Sequence, residues 1–355
     1  MKIIHTCDIH LREDNPERWD SLRTIVKLCR EKEAGALVIS GDLFDADVEA
    51  NKLKADLRTL FSDLPFEIFI IPGNHDSQSF EDRAFFGSNV RVILSPGNIF
   101  KIGDVAIAGI PFKNIREPEL FAMLQAVSAK LDPDNINLLM FHGELLDSYY
   151  SRTDFGEEGD VRYMPARLDF FSGLNFDYVL AGHFHTNFNA WEFGKQNGKG
   201  YFVYPGSPVP VTRRETGKRK VNIFEAGHAP EQVILDGAYY YESIVVKLDP
   251  FAEKDPVTAV KEKISRIDDT ARIDLRVEGY LNSAKHGIDE TGLYDFLESL
   301  KSGGRIDLVS YKAVDLNVIF EDHIYKSFIL KVDSGNYPQH VKDAMKEYFL
   351  KAMTE

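Results

Sequence analysis

The chain has 355 residues, of which 44% are hydrophobic and 28% are charged, and it contains 25 glycines and 15 prolines. This composition excludes a fibrous or low-complexity protein, and the length predicts about two domains. The formal net charge of −14 excludes a protein that coats nucleic acid by bulk charge, because such binding needs basic residues to neutralise phosphates. The sequence has no signal-peptide pattern and no apolar run of 18 residues, and its two cysteines are too few for a disulfide framework. We therefore expect a soluble cytoplasmic protein.

Short β-branched segments alternate with helix-period segments in the first half of the chain, a pattern typical of βαβ units. Strands are predicted over residues 2–6, 36–40, 66–71, 138–141 and 178–181, and each is followed by a cluster of polar residues. In open α/β sheets, ligands bind beyond the carboxyl ends of the strands. We therefore expect these polar clusters to converge on one site.

A smaller α+β domain is predicted after about residue 239, where the composition changes. Its β-rich segments span 244–248, 272–277 and 314–319, and its predicted helices span 256–264 and 290–300.

The tail over 339–353 is predicted as a helix with one apolar face, which packs either on a partner or on this chain. That face carries Val341, Ala344, Met345, Tyr348 and Phe349. The predicted organisation is a first domain over 1–238, a second domain over 239–335 and a C-terminal helix over 336–355.

The polar clusters hold residue types that suit a metal-dependent reaction. In chain order they read Asp8-Ile9-His10, Gly41-Asp42-Leu43-Phe44-Asp45, Gly73-Asn74-His75-Asp76, His142 and Gly182-His183-Phe184-His185. Taken singly, the first four have ordinary structural explanations as caps, turns or buried imidazoles. The last is the most specific, because two histidines two residues apart after a strand form a ligand pair for a transition metal.

The order of these five clusters resembles that of the calcineurin-like metallophosphoesterase superfamily, strongly over residues 1–224 and loosely beyond. Within the superfamily, segments 5–11, 41–45 and 204–208 look like those of the SbcD-type double-strand-break repair nucleases, of the meiotic recombination nuclease family. The resemblance implies an α/β fold with a metallophosphoesterase-type double β-sheet sandwich flanked by helices. It also implies that the smaller α+β domain is a cap that guides DNA.

The same resemblance implies two divalent metal ions that share one carboxylate. One ion would be held by Asp8, His10, Asp42 and His185, and the other by Asp42, Asn74, His142 and His183. A mixed set of carboxylate, amide and imidazole ligands without thiolate favours Mn²⁺, with iron or zinc as alternatives. Two such cations activate a bridging hydroxide and stabilise the attacking and leaving oxygens of a phosphodiester.

Three residues beside the implied ligands are candidates for further roles. His75 would protonate or orient the leaving group. Asp45 and Asp76 would support the site, and Asp76 either fixes the tautomer of His75 or is a turn residue. Asp45 stands where archaeal, eukaryotic and also bacterial members of the resembled family have a second histidine, so the balance of exonuclease and endonuclease activity is left open.

The densest basic stretch of the chain lies over residues 211–220. Arg213, Arg214 and Lys218 in this stretch are candidates for phosphate contacts, which would position a duplex without reading its sequence. The alternative is an ordinary solvated hairpin.

Together these expectations describe a Mn²⁺-dependent DNA nuclease of double-strand-break repair, acting on linear duplex ends or single strands as an exonuclease, a single-strand endonuclease or both. The resemblance implies an SbcC-type coiled-coil ABC ATPase as partner, and a homodimer is left open. One alternative keeps the metals but acts on small phosphodiesters, nucleotides or phosphoproteins. A non-catalytic scaffold is disfavoured, because a scaffold has no physical need for a complete ligand set.

Overall fold

The computed structural model describes residues 1–80, 85–147, 163–195 and 198–354. The chain divides into two compact units, Met1–Tyr241 and Glu242–Glu355. The predicted boundary after residue 238 lies close to the end of the first unit, and the C-terminal helix belongs to the second unit. In the described residues, no helix is both long enough and apolar enough to cross a membrane.

The regular elements of the described residues are numbered in chain order. The strands are β1 (Lys2–Thr6), β2 (Ala36–Ser40), β3 (Glu67–Ile71), β4 (Val90–Val92), β5 (Ile99–Ile102), β6 (Val105–Ile110), β7 (Ile136–His142), β8 (Tyr178–Gly182), β9 (Asn189–Lys195), β10 (Gly198–Tyr204), β11 (Lys220–Glu225), β12 (Glu231–Ile234), β13 (Tyr240–Leu248), β14 (Ala271–Leu281) and β15 (Ile306–Asp315). The helices are α1 (Pro16–Glu31), α2 (Asp47–Phe61), α3 (Glu117–Ser128), α4 (Pro256–Ile264), α5 (Ser283–His286), α6 (Glu290–Ser299), α7 (Asn317–Glu321), α8 (His323–Ser334) and α9 (Gln339–Thr354). Short 3₁₀ helices lie at Leu168–Phe171 and Leu300–Gly303.

The first unit contains two mixed sheets. In the described part of the chain, the strand order of one sheet is β12-β11-β1-β2-β3-β4, and that of the other is β5-β6-β7-β8-β10-β9. Strands β1 to β4 are parallel to one another, as are β6, β7, β8 and β10, whereas the remaining strands pair antiparallel. Parallel strands end at the same edge of a sheet, which is where the polar clusters of the sequence follow them.

The side chains of the first sheet alternate between two apolar layers. On the outer face, Ile4 and Leu37 pack with the side chains of α1 and α2. On the inner face, Ile3 and Val38 pack against β6, β7 and β8 of the second sheet. Because both faces are buried, these strands are continuous apolar runs in the sequence, which explains why the sequence predicts them.

Helix α1 begins where the sequence supplies a cap and a proline. Asn15 Oδ1 accepts the backbone N–H of Arg18 at 3.3 Å, and Pro16 occupies the first turn, where its missing N–H costs nothing. The apolar face of the helix, which includes Trp19 and Leu22, packs on the first sheet. The same helix carries the buried Arg18, whose guanidinium donates to the carbonyl oxygen of His10 beyond β1.

The second unit has a core of its own. Within the described residues its sheet has the order β13-β14-β15, and β14 pairs parallel to β15 with a register shift between Leu275 and Arg276. Val260 of α4 and Leu297 of α6 are fully buried in the apolar layer of this sheet. The predicted α/β architecture, with a double-sheet sandwich flanked by helices and a smaller α+β unit, is confirmed.

Helices α8 and α9 pack on each other at the end of the second unit. The rings of Phe328 and Phe349 stack with their centroids 4.0 Å apart, and Leu350 is buried with Tyr325. Part of the apolar face of the tail therefore packs on its own unit, whereas Tyr348 is 72% exposed.

The prediction of a β-rich segment over 314–319 is wrong in its second half. Strand β15 ends at Asp315, and α7 begins at Asn317. Asp315 Oδ1 accepts the backbone N–H of Asn317 at 3.1 Å, and Leu316 is buried in the cluster that contains Tyr325. These contacts turn the chain out of the sheet, so tertiary packing overrides the β propensity of the segment.

Candidate metal centre

Polar side chains from five strand ends meet at one place in the first unit. The first sheet supplies Asp8 and His10 after β1, Asp42 after β2, and Asn74 after β3, and the second sheet supplies His142 at the end of β7 and His183 and His185 after β8. Hydrogen bonds join the two sheets here: Ser40 Oγ donates to Leu180 O at 2.8 Å, and His142 Nδ1 lies 2.8 Å from Ser40 O. The two-sheet fold thus gathers side chains that are far apart in the sequence.

The atoms predicted to bind the first metal lie within reach of one cation. Asp8, His10 and His185 each offer a ligand atom within 4.8 Å of the other two. His185 Nε2 is 3.9 Å from Asp8 Oδ1, and His10 Nε2 is 3.8 Å from Asp42 Oδ2. His10 Nε2 and Asp42 Oδ2 are buried and lack a hydrogen bond to any described residue. Buried polar atoms are normally paired, so these atoms fit a site for a divalent cation.

A second group with the same spacing contains Asp8, Asp42 and His142. His142 Nε2 lies 3.3 Å from Asp42 Oδ2 and 2.9 Å from Asn74 Oδ1. The ring centroid of His183 is 5.5 Å from that of His142. Among the described residues, His183 is in none of the groups that meet the 4.8 Å spacing. Asp42 faces both positions, as a bridging ligand would.

Backbone strain is concentrated in the same residues. The φ angles of Asp8, His10 and Asp42 are 52°, 52° and 51°, and that of His183 is 99°. Non-glycine residues rarely adopt such angles, and each costs on the order of 1 to 3 kcal/mol. Backbone hydrogen bonds between the loops after β1 and β2, including His10 N to Asp42 O at 2.9 Å, hold this conformation. Such strain is typical of a functional site.

Two glycines of the predicted motifs are required by close approach. Gly41 has a φ of +93°, and a Cβ atom there would collide with the imidazole of His142. A Cβ at Gly73 would collide with the carboxylate of Asp42. These positions therefore let side chains of neighbouring strands reach the site.

The electrostatics of the site depend on buried charged pairs. Burial by itself would raise the pKa of Asp42, but the charge and hydrogen bond of His142, together with the charges of His10 and His75, hold it well below its usual range. Burial would lower the pKa of His142, whereas Asp42 raises it to about 10. Burial and the charge of His142 lower the pKa of His183 well below its ordinary value. Without a cation the site thus keeps Asp42 ionised and His183 neutral, the forms that bind metal, whereas His142 has to release a proton before it can bind one.

His75 and Asp76 have different contacts. The backbone N–H of His75 donates to Asp42 Oδ1 at 3.0 Å, and His75 Nδ1 lies 3.2 Å from the carbonyl oxygen of Asp45. The Asp76 carboxylate accepts the backbone N–H of Gly73 at 2.7 Å and of Phe44 at 3.1 Å. Burial, together with the charge of Asp42, raises the pKa of Asp76 to about 7. Asp76 thus stabilises the turn that carries His75.

Glu215 is a site residue that the sequence does not predict. It is buried, and its Oε1 lies 3.5 Å from His185 Nδ1. Burial by itself would raise the pKa of Glu215, but the interaction with His185 lowers it to about 2. The only signal in the sequence is an acidic residue within the basic stretch 211–220.

The predicted DNA-contacting residues Arg213, Arg214 and Lys218 are exposed. They lie on the loop that also carries Glu215, between β10 and β11. The guanidinium of Arg213 lies 5.9 Å from the ring centroid of Tyr241. Exposed basic side chains therefore lie on the same short loop as Glu215, which contacts the candidate metal centre.

Two groups of candidate metal ligands that share a carboxylate, at the edge of a two-sheet α/β fold, fit a metal-dependent hydrolase. The model of the calcineurin-like phosphoesterase family matches residues 1–187, a span that includes all of the predicted ligands. The chain belongs to the calcineurin-like phosphoesterase family, and it is a phosphoester hydrolase of the metallophosphoesterase type. Such proteins typically bind two divalent metals, and the candidate clusters of this chain accord with that.

The fold is similar to those of distant solved structures. TT1561 of Thermus thermophilus is 14% identical, with a TM-score of 0.42, and the match covers 66% of this chain and 98% of that chain. The purple acid phosphatase PPD1 from yellow lupin (Lupinus luteus) seeds is 12% identical, with a TM-score of 0.46, and the match covers 68% of this chain and 52% of that chain. Both TM-scores are below 0.5, and no conclusion about this chain follows from these likenesses. Among curated proteins there is no significant match.

Proposed function

We propose that the chain is a Mn²⁺-dependent DNA nuclease that acts in double-strand-break repair. The observation that carries the hydrolytic part is the convergence of Asp8, His10, Asp42, His142 and His185 in groups whose ligand atoms lie within 4.8 Å of one another. The nuclease part is supported by the resemblance of segments 5–11, 41–45 and 204–208 to SbcD-type nucleases. It is also supported by exposed cations on the loop that contacts His185.

Each residue of the site has a role in this proposal. One cation would be held by Asp8, His10, Asp42 and His185, and the other by Asp42, Asn74, His142 and His183. When bound, the two cations would lower the pKa of the attacking water and neutralise the charge that develops on the phosphodiester. The basic side chains of Arg213, Arg214 and Lys218 would contact phosphates, which positions the DNA strand without reading its sequence.

His75 would deliver the proton to the leaving oxygen. The carbonyl oxygen of Asp45 can only accept, so His75 Nδ1, at 3.2 Å, carries a hydrogen in the neutral ring. Nε2 is then the atom that gains and loses the proton. The turn held by Asp76 fixes the backbone of this histidine.

The test compares substrates on one preparation. The purified chain, stripped of metal and reloaded with Mn²⁺, is incubated with end-labelled linear duplex, with single-stranded DNA and with bis(4-nitrophenyl) phosphate. We expect Mn²⁺-dependent shortening of the DNA. Asp42→Asn, purified in the same way, controls for contaminating nucleases and should lose more than about 100-fold, because the shared ligand is gone.

Hydrolysis of the chromogenic diester without DNA cleavage would contradict the nuclease proposal. It would favour the second class of substrate, namely small phosphodiesters, nucleotides or phosphoproteins, on the same metals.

The proposed partner is a coiled-coil ABC ATPase of the SbcC type. Tyr348 of α9 and Leu330 of α8 are 72% and 71% exposed, and they lie on the helices that end the second unit. Co-expression with that ATPase should give a complex that Tyr348→Ser and Leu330→Ser together weaken. An exposed polar change on α8, Lys326→Ser, is the control. A complex of unchanged stability would show that these helices are not the docking surface.

A further inference from the structure

Each histidine of the first metal position, His10 and His185, has a carboxylate near its Nδ1 atom. His10 Nδ1 lies 3.4 Å from Asp45 Oδ1, and His185 Nδ1 lies 3.5 Å from Glu215 Oε1. In both rings the opposite nitrogen, Nε2, faces a carboxylate of the metal-binding groups, at 3.8 Å and 3.9 Å respectively. Each ring therefore lies between a carboxylate and the place of the cation, and neither Nδ1 meets full hydrogen-bond geometry with a described residue.

A buried arginine holds the first of these pairs. Arg18 Nη1 donates to Asp45 Oδ1 at 2.8 Å and also to the carbonyl oxygen of His10. The same guanidinium thus fixes both the carboxylate and the backbone of the histidine that the carboxylate faces.

The second pair is built in the same way from a different part of the chain. Arg219, also buried, donates Nη2 to the carbonyl oxygen of His185 at 2.6 Å and to Ser207 Oγ at 3.0 Å. Ser207 Oγ in turn lies 3.0 Å from Glu215 Oε2, as a donor. The backbone N–H groups of residues 211 and 212 donate to Glu215 at 3.0 Å and 2.9 Å. The carboxylate is therefore fixed from several sides.

His142 of the second metal position is supported differently. His142 Nδ1 lies 2.8 Å from the carbonyl oxygen of Ser40, a neutral acceptor, and the neighbouring ligand Asn74 is neutral as well. A carboxylate that accepts from one imidazole nitrogen orients the ring and makes the opposite nitrogen a stronger ligand. The two positions should therefore differ in affinity.

We propose that Asp45 and Glu215 are positioning residues that give the Asp8–His10–His185 position the higher affinity for a divalent cation. A carboxylate can only accept, so each selects the histidine tautomer with a hydrogen on Nδ1 and leaves the Nε2 lone pair for the cation. Arg18 and Arg219 lie beside these carboxylates and offset their charges, so each carboxylate acts mainly on the ring that it faces. The inference rests on the proposed two-metal function and adds which position fills first.

The test is Mn²⁺ binding to the metal-free, full-length chain, measured as loss of the electron paramagnetic resonance signal of Mn²⁺ in solution. We expect the wild type to bind two ions in two affinity classes. Asp45→Asn and Glu215→Gln should each weaken the tighter class by about 10- to 100-fold and leave the weaker class unchanged. A merely structural defect would weaken both classes together.

Asp177→Asn is the matched control. Asp177 pairs with Lys195 at 2.5 Å and precedes β8, whereas the metal ligands follow that strand. This variant should bind Mn²⁺ as the wild type does. Equal weakening of both classes in Asp45→Asn and Glu215→Gln, an unchanged tight class in both, or the same loss in the control would overturn the positioning role.

Two further outcomes are distinguishable. If Glu215→Gln does not fold, as judged by circular dichroism, Asp45→Asn decides, because the Asp45 side chain is 26% exposed and that of Glu215 only 5%. A wild-type chain that binds fewer than two Mn²⁺ ions would contradict the proposed function itself. Two ions with no difference between wild type and variants would contradict only this inference.

Discussion

His75 is placed where either of two chemistries could use it. Its Nδ1 is occupied by the carbonyl oxygen of Asp45, which leaves Nε2 for proton transfer. However, His75 also offers a ligand atom within 4.8 Å of those of His10 and Asp42. Proton delivery and metal coordination make different demands on the ring, because a coordinated nitrogen has no lone pair left for a proton.

We expect His75→Ala to keep both metals and to lower the turnover number by about 10² to 10⁴, the usual contribution of a general acid. Metal content by mass spectrometry and hydrolysis of bis(4-nitrophenyl) phosphate measure the two effects separately. His228→Ala, which truncates an exposed histidine of the same unit, should change neither. Metal content that falls in parallel with turnover would assign His75 to coordination instead.

At this scale the sequence predicts the ligands but not the groups that hold them. Asp8, Asp42 and His142 are predictable because few side chains serve a hydrolytic metal and each follows an apolar strand. Glu215 is not predictable, because its burial depends on a loop that folds back so that backbone N–H groups surround the carboxylate. No local pattern in a basic stretch encodes that closure.

Strand β1 places a histidine, His5, in the apolar core between the two sheets. His5, on the face that also carries Ile3, is fully buried beside Val38, and Asn222 Nδ2 lies 3.4 Å from its Nδ1. Within the described residues, His5 Nε2 has no hydrogen-bond partner. Burial lowers the pKa of His5 from 6.5 to about 3, because no nearby group stabilises the charged ring.

This burial makes folding sensitive to acid. The unfolded chain binds a proton at His5 near pH 6.5 and the folded chain only near pH 3, so stability is complete above neutral pH and falls as the pH drops between these values. From pH 7 to pH 5 the wild type should lose about 2 kcal/mol more unfolding free energy than His5→Gln. Urea unfolding with a chelator present measures this difference, to which the other histidines contribute equally in both proteins. Equal losses would contradict a neutral, buried His5.

The loop between β10 and β11 has an exposed basic side and a buried side that holds His185. Replacing Arg213, Arg214 and Lys218 together by glutamine should leave hydrolysis of the small diester unchanged, because Glu215 and Arg219 remain. Duplex binding should weaken. The slope of log affinity against log salt concentration should become shallower by about one unit for each phosphate that these side chains no longer neutralise. Fluorescence anisotropy over a range of salt concentrations measures both. An unchanged slope would make the loop an ordinary solvated hairpin.

Among the elements, predictability follows burial. Strands β1, β2 and β8 are buried on both faces, so their apolar runs predict them to within a residue or so. The edge strands β5 and β12 are partly exposed and give no comparable signal. Helix α7 takes the place of the second half of a predicted strand, because Asp315 and Leu316 contact residues of the second unit that are distant in the sequence.

At the scale of the whole molecule, the first unit contains every predicted metal ligand. Its boundary at Tyr241 has a local cause: the backbone N–H of Gly217 donates to Tyr241 O at 2.8 Å, and Thr216 forms a β-bridge with Tyr241. A cut at 238 would remove these interactions, although composition alone suggests a boundary there. The second unit is therefore best removed after Tyr241.

We expect the fragment Met1–Tyr241 to hydrolyse bis(4-nitrophenyl) phosphate at nearly the full rate and to cleave duplex DNA about 10²-fold more slowly. The candidate metal ligands and His75 are retained. The second unit, which the proposed function makes a DNA-guiding cap, is removed, and misplacement of a substrate by roughly 1 Å can cost that much. Folding and metal content are checked first, and the ratio of the two activities is the measurement. An unchanged ratio would leave the second unit a structural role only.

The placement of β1 between β2 and β11 has a consequence for the newly made protein. The ribosome releases Asp8 and His10 first, but their partner His185 and the neighbouring strand β11 (Lys220–Glu225) emerge much later. At about 5 to 20 residues per second, the last ligand follows the first by roughly 10 to 40 seconds. During that interval the nascent chain exposes apolar strands and isolated carboxylates that cannot yet hold a cation in its final geometry. If the proposed ligand set holds the metals, their capture is expected late, because it needs the second sheet in place.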